Sequence, residues 1–219
     1  MSAPGRYVHE LRALHQALLR MGGLVEQMLG DVIEALGAMD PELANRVLEM
    51  DRTINQLELD IDELCLRIIA LHRPAAGDLR FVTASMKLVT DLERMGDLVA
   101  NVAERVLALT HEERLKPFVP LSQMAQEVQA MIALALDAFV AQDEAQARQV
   151  IEADEGVDEL HWRIRREVIA RMTQDGAVVS QGVNLLLLTK HLERLGDHAT
   201  NIAEGVIFMV CGHDVRHSQ

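Results

Sequence analysis

The sequence predicts an all-α protein made of two tandem three-helix bundles that arose by internal duplication. Three observations carry this. Apolar residues recur at three- and four-residue spacing along most of the 219-residue chain, the period of an amphipathic helix. Aromatic residues make up only 3% of it, whereas sheets favour aromatic and β-branched side chains. The second half also repeats the first, residue type for residue type, along its longest helices.

The elements follow in order. Val8, Leu11, Leu14, Leu18, Met21, Val25, Met28, Val32 and Leu36 mark a first helix. Asp40-Pro41 supplies an N-cap and a proline at the first helical position. The second helix then runs through Val47, Ile54, Leu57, Ile61, Leu64 and Ile68 until Arg73-Pro74 and Gly77 interrupt it. A third helix spans Asp78 to about Thr110, and 111–120, with Pro117 and Pro120, reads as a linker. A fourth covers Leu121 to Ala141. The fifth is capped by Asp143 and ends near Thr173, and the sixth follows the Asp175-Gly176 turn and ends near Cys211. A polar tail, 212–219, is expected to fray. The bundles are accordingly placed at 1–111 and 112–219.

An offset of 100 lays Leu92, Glu93, Arg94, Gly96, Asp97, Asn101, Ala103, Glu104 and Val106 on Leu192, Glu193, Arg194, Gly196, Asp197, Asn201, Ala203, Glu204 and Val206. Upstream the offset is 103, pairing Asp40 with Asp143, Asp51 with Asp154, and Ile54 with Val157. The three-residue difference is expected in the connection after the second helix.

Charge narrows the function. A net charge of −13 argues against nucleic acid and against an anionic membrane surface, both of which need a basic face. No uninterrupted apolar run approaches the roughly 20 residues of a spanning helix, so direct membrane insertion is not expected. The first residues lack the basic-then-apolar pattern of a secretory leader. Cys65 and Cys211 have no metal or redox spacing and are read as reduced thiols of a cytoplasmic protein.

The candidate chemistry lies on the repeated helices. Glu93, Asp97, Asn101 and Glu104 share one stripe, as do Glu193, Asp197, Asn201 and Glu204. Asp51 on the second helix, with Asp154 and Asp158 on the fifth, is placed to form an opposite wall. Stacked carboxylates repel one another, and a cation held by oxygen ligands offsets that cost. Iron, manganese, magnesium and zinc all suit such a donor set. Glu58 and Asp62 become His161 and Arg165 in the second half, so the two sites should differ. His161 is the one histidine considered as a ligand; His191 and His198 are read as facing away, and His72 as a surface or loop residue. Trp162, the sole tryptophan, is expected between helices. Gly96 and Gly196 lie in helix interiors, where close helix approach or a bound ion would justify them.

DLERMGDLVANVAE (91–104) and HLERLGDHATNIAE (191–204) resemble the paired signature helices of the PhoU family, and GDLR (77–80) is similar to that family's segment at the same place. The resemblance covers about Tyr7 to Cys211. It implies metal ions on the acidic helices and a regulator of phosphate uptake and of the phosphate-starvation response. It further implies an adaptor between the ATPase subunit of a phosphate ABC transporter and a sensor histidine kinase, held at the inner face of the membrane through those partners. So many amphipathic faces also suggest a homodimer. No nucleophile-with-base arrangement or phosphate-cradling glycine loop is visible, so a non-enzymatic role is expected. The rival is a carboxylate-bridged di-metal oxidase, ferroxidase or metal-storage bundle. Oxidases of that kind use Glu-x-x-His, and no Glu here has a His three residues later.

Overall fold

The computed structural model describes residues 3–110 and 119–212, and these form six long helices and no strand. They are α1 (Ala3–Ala38), α2 (Pro41–His72), α3 (Ala76–Thr110), α4 (Val119–Ala141), α5 (Glu144–Gln174) and α6 (Val179–Cys211). A single 3-10 turn, Gly176–Val178, precedes α6. Most of the expected linker and the polar tail beyond Gly212 lie outside the described residues. Pro120 is already helical, in the first turn of α4.

The repeat is written into the turns. Asp40 Oδ1 accepts from the backbone N–H of Glu42 at 2.8 Å and of Leu43 at 3.2 Å. Asp143 Oδ1 accepts from those of Ala145 and Gln146 at the same two distances. The preceding residues, Met39 and Gln142, share a left-handed backbone, with φ of 53° and 52°. The offset changes at the next connection: α2 ends on left-handed Arg73 before Pro74, whereas Asp175 caps the short turn that leads into α6.

α3 and α6 are the central pair. α3 packs on α1, α2 and α6, and α6 packs on α4, α5 and α3, while α1 also touches α4. α2 and α5 lie outermost, each against the two other helices of its own half. The buried side chains of both halves form one continuous cluster, which includes Leu92 and Met95 of α3 and Leu192 and Leu195 of α6. Hydrophobic burial along such long faces is the dominant stabilising term.

The structure adds to one expectation and corrects another. Pro120–Ala141 is long and apolar enough to cross a membrane by length and composition alone, with mean hydropathy 1.3. Gln and Ser residues between its apolar positions hid this from a search for unbroken runs. The helix packs Met124, Val128, Met131, Ile132 and Ala135 into the shared core. Trp162 is not between helices but 55% exposed, with the Arg165 guanidinium 5.0 Å from its ring. Its repeat partner Leu59 is likewise exposed. Exposed Leu66 and Ile169, seven residues further on, extend both outward faces.

His72 is also not a free surface residue. Its Nε2 lies 2.8 Å from Glu10 Oε2, which is 9% exposed and also takes the Arg6 guanidinium at 3.1 Å. Burial pushes the Glu10 carboxyl up, but the His72 and Arg6 hydrogen bonds more than offset this, so it sits below the ordinary glutamate range. Arg67, Tyr7 and Asp78 complete the polar groups at this end of the half. A depressed carboxylate stabilises the fold above its unfolded value, and that contribution disappears as pH falls through the folded one. Glu10→Gln should therefore lower Tm at neutral pH, with the gap to wild type closing as pH drops below about 4. Thermal melts of both proteins across that range test it.

Candidate functional site

Each half contains a cleft between its outer helix and its central helix. In the first, Asp51 on α2 faces Glu93 and Asp97 on α3. The Asp51 carboxyl is raised by burial and then by the Asp97 charge. That of Glu93 is raised by burial, then by Asp97 and Glu58, against the pull of Arg94. Asp51 Oδ2 accepts from Asn55 at 3.3 Å, whereas its Oδ1 is buried with no hydrogen-bond partner. A buried carboxylate oxygen without a donor is costly and calls for a compensating charge.

The second cleft repeats the arrangement. Asp154 on α5 is pushed up to about 6 by burial, then by Asp158, Asp197 and Glu193. Asp197 is raised too, by burial and by Glu193, against Lys190 and His198. Lys190 Nζ donates to Glu193, an ion pair with no counterpart in the first half, where Thr90 stands at the equivalent position. His161 takes the place of Glu58 at the 103 offset, and its Nδ1 is buried without a partner. The two clefts thus differ in charge and in donor type.

The mid-helix glycines explain how an aspartate fits against a neighbouring helix. A Cβ on Gly96 would stand 3.1 Å from Ile54 Cγ2 and 3.5 Å from Asp51 Oδ1. On Gly196 it would stand 3.2 Å from Asp154 Oδ1. In both halves the missing side chain makes room for an outer-helix carboxylate. Glu93 and Glu193 are only 18% and 16% exposed, so neither extends freely into water.

Not every residue of the acidic stripes reaches a cleft. Asn101 Nδ2 donates to the Asp97 carbonyl of its own helix at 2.8 Å, and half-exposed Glu104 pairs with Arg105 at 3.2 Å. Asn201 Nδ2 reaches across to Asp91 on α3 at 3.3 Å, and Glu204 lines a cavity between the halves with Asp62, Lys87 and Asp91. For Glu104 the reason is axial. Glu104 lies about 10 Å along the helix from Asp97, at 1.5 Å per residue, beyond the level of Asp51. His198 belongs to the same inter-half contact, its Nδ1 2.8 Å from Asp91 Oδ1. Glu58, on the same α2 stripe as Asp51, joins the first cleft, where its charge acts on Glu93.

The donors suit a hard or borderline cation: carboxylate oxygens, one of them buried and unpaired, beside a glycine whose Cβ would press on the outer helix. Among the described residues no three Asp, Glu, His or Cys side chains are drawn tightly enough together to form a finished ion cage. Each cleft instead brings like charges near one another without closing them around a common point.

An all-helical chain with two repeated three-helix units and an acidic cleft in each defines the class of protein. The PhoU domain matches it twice, at residues 18–106 and 121–206. The chain belongs to the PhoU family. It is 43% identical to a phosphate-specific transport system accessory protein PhoU homolog of Pseudomonas aeruginosa, over 95% of this chain and 86% of that one. Identity to PhoU of Escherichia coli K12 is 34%, over 97% and 88%. Among solved structures, PhoU from Pseudomonas aeruginosa matches with a TM-score of 0.91 at 41% identity, over 94% of this chain and all of that one. The phosphate transport system regulatory protein PhoU from Streptococcus pneumoniae gives 0.89 at 33%, over 95% and 99%.

Proposed function

We propose that this chain is an accessory regulator of phosphate transport, and that its two acidic clefts bind cations. The observation that supports the regulatory role most is the end-to-end match, both halves included, to relatives that carry that role in their names. In the finer reading, the protein acts without catalysis as an adaptor between the transporter's ATPase subunit and a sensor histidine kinase. It works at the inner face of the membrane and as a homodimer.

Asp51, Glu93 and Asp97, with Glu58 beside them, would hold a cation in the first half. Asp154, Asp158, Glu193 and Asp197, with His161, would hold one in the second. A bound ion would supply the positive charge that Asp51 Oδ1 lacks, joining an outer helix to a central one. Such a joint could set the angle at which α2 and α5 present their exposed Leu59 and Trp162 to a partner.

A genetic replacement tests this. Cells lacking the chain should express phosphate-starvation genes even in high phosphate, and wild-type protein should restore repression. A Glu93→Ala, Glu193→Ala protein should restore it poorly at equal abundance. Full restoration by that variant would remove the cations from the mechanism, and unchanged expression in the deletion would remove the regulatory role.

A further inference from the structure

We propose that a cleft remote from the acidic sites binds a phosphoryl anion, either free phosphate or a phosphate monoester on a small organic body. The cleft has a volume of about 710 Å³ and lies where α1, the start of α3 and the end of α6 meet. That size is in the usual range for small-molecule sites, about 300–1,000 Å³. It does not depend on the cation reading, since none of its residues belongs to either acidic cleft.

Its chemistry runs against the rest of the molecule. In a chain of net charge −13, Arg12 and Arg80 line one cavity together, with His15, Gln16 and Gln142 as further polar groups. Among the described residues neither arginine forms an ion pair, and Arg80 Nε is buried with no hydrogen-bond partner. That nitrogen is closed to a water-sized ligand, so an anion in the cleft would meet the outer guanidinium nitrogens. Planar, permanently charged guanidinium groups match the oxygen geometry of phosphate. Asp78 is the one carboxylate on the wall, and the Tyr7 hydroxyl already donates to it.

Two further features favour an anion. The cleft includes Gly77 in the first turn of α3, where unpaired backbone N–H groups and the helix dipole present positive charge. A Cβ at Gly77 would meet nothing within 4 Å, so the space above that turn is open. Beside the arginines, Phe81 and Leu11 give an apolar wall on which an organic body could lie, with the His15 ring 6.2 Å from that of Phe81.

The duplication provides an internal comparison. At the offset of 100, Gly77, Asp78, Arg80 and Phe81 become Ala177, Val178, Ser180 and Gln181. The second copy has neither the guanidinium nor the aromatic ring. The fold therefore does not require them, and their presence in one copy calls for a separate reason.

Calorimetric titration of the full chain at fixed ionic strength tests this, with inorganic phosphate in one arm and adenosine 5′-monophosphate in the other. Saturable binding of at least one probe is expected. Arg80→Gln and Arg12→Gln, on different helices, should each weaken it about tenfold, the value of one lost charged hydrogen bond. Circular dichroism should find their helix content intact. Phe81→Leu should weaken only the monoester arm if the organic body matters, and neither arm if free phosphate is the ligand. No saturation of either probe at millimolar concentration, or unchanged affinity in both arginine variants, would overturn the proposal.

Discussion

Leucine in place of Gly196 is expected to destabilise the protein by about 2–3 kcal/mol and to remove cation uptake from the second half. The helix itself would gain from losing a glycine, by up to about 1 kcal/mol. That gain is outweighed because the new Cβ would stand 3.2 Å from Asp154 Oδ1, with Val157 of α5 and Met131 of α4 next to it. Gly96→Leu should act in the same way through Ile54, which is fully buried and has little freedom to yield. Urea titration measures the first effect and metal content the second. By contrast Gly23, where a Cβ meets nothing within 4 Å, should accept alanine without loss.

The second large effect is a change of sign. Asp154→Asn should raise the Tm of chelator-stripped protein at pH 7.5, yet abolish the extra stabilisation that added manganese gives the wild type. Burial first, and then the charges of Asp158, Asp197 and Glu193, push the Asp154 carboxyl up to about 6. Removing its charge relieves like-charge repulsion of about 1 kcal/mol, or roughly 2–4 °C in a chain of this size. The same change deletes an oxygen ligand, so the benefit of a cation shrinks by mass action. Paired melts with and without manganese decide it. A carboxylate that served only as a solvated surface group would shift neither curve.

Helical periodicity and the Asp40 and Asp143 caps were legible in the sequence because they are local. A cap reads only the next three residues, and apolar spacing reports one face. The paired offsets of 100 and 103 were equally open to view, and with them Glu93 and Asp97 opposite Asp51. What spacing could not reveal was which neighbour each stripe residue meets. Asn101 and Glu104 share a stripe with the first cleft but bond within their own helix, and Asn201 and Glu204 turn toward the other half. Nor could it tell an outward face from an inward one: Trp162 satisfies the helical period, yet α5 has no neighbour on that side. The Glu10–His72 contact spans 62 residues, and no local pattern announces it.

Manganese uptake by chelator-stripped protein, measured by equilibrium dialysis, tests most directly whether the paired carboxylates hold ions. The wild type should take up metal at both clefts. Glu93→Ala with Asp97→Ala should remove the first share and Glu193→Ala with Asp197→Ala the second, while helix content is kept. Uptake that persists undiminished with all four carboxylates replaced would contradict the account.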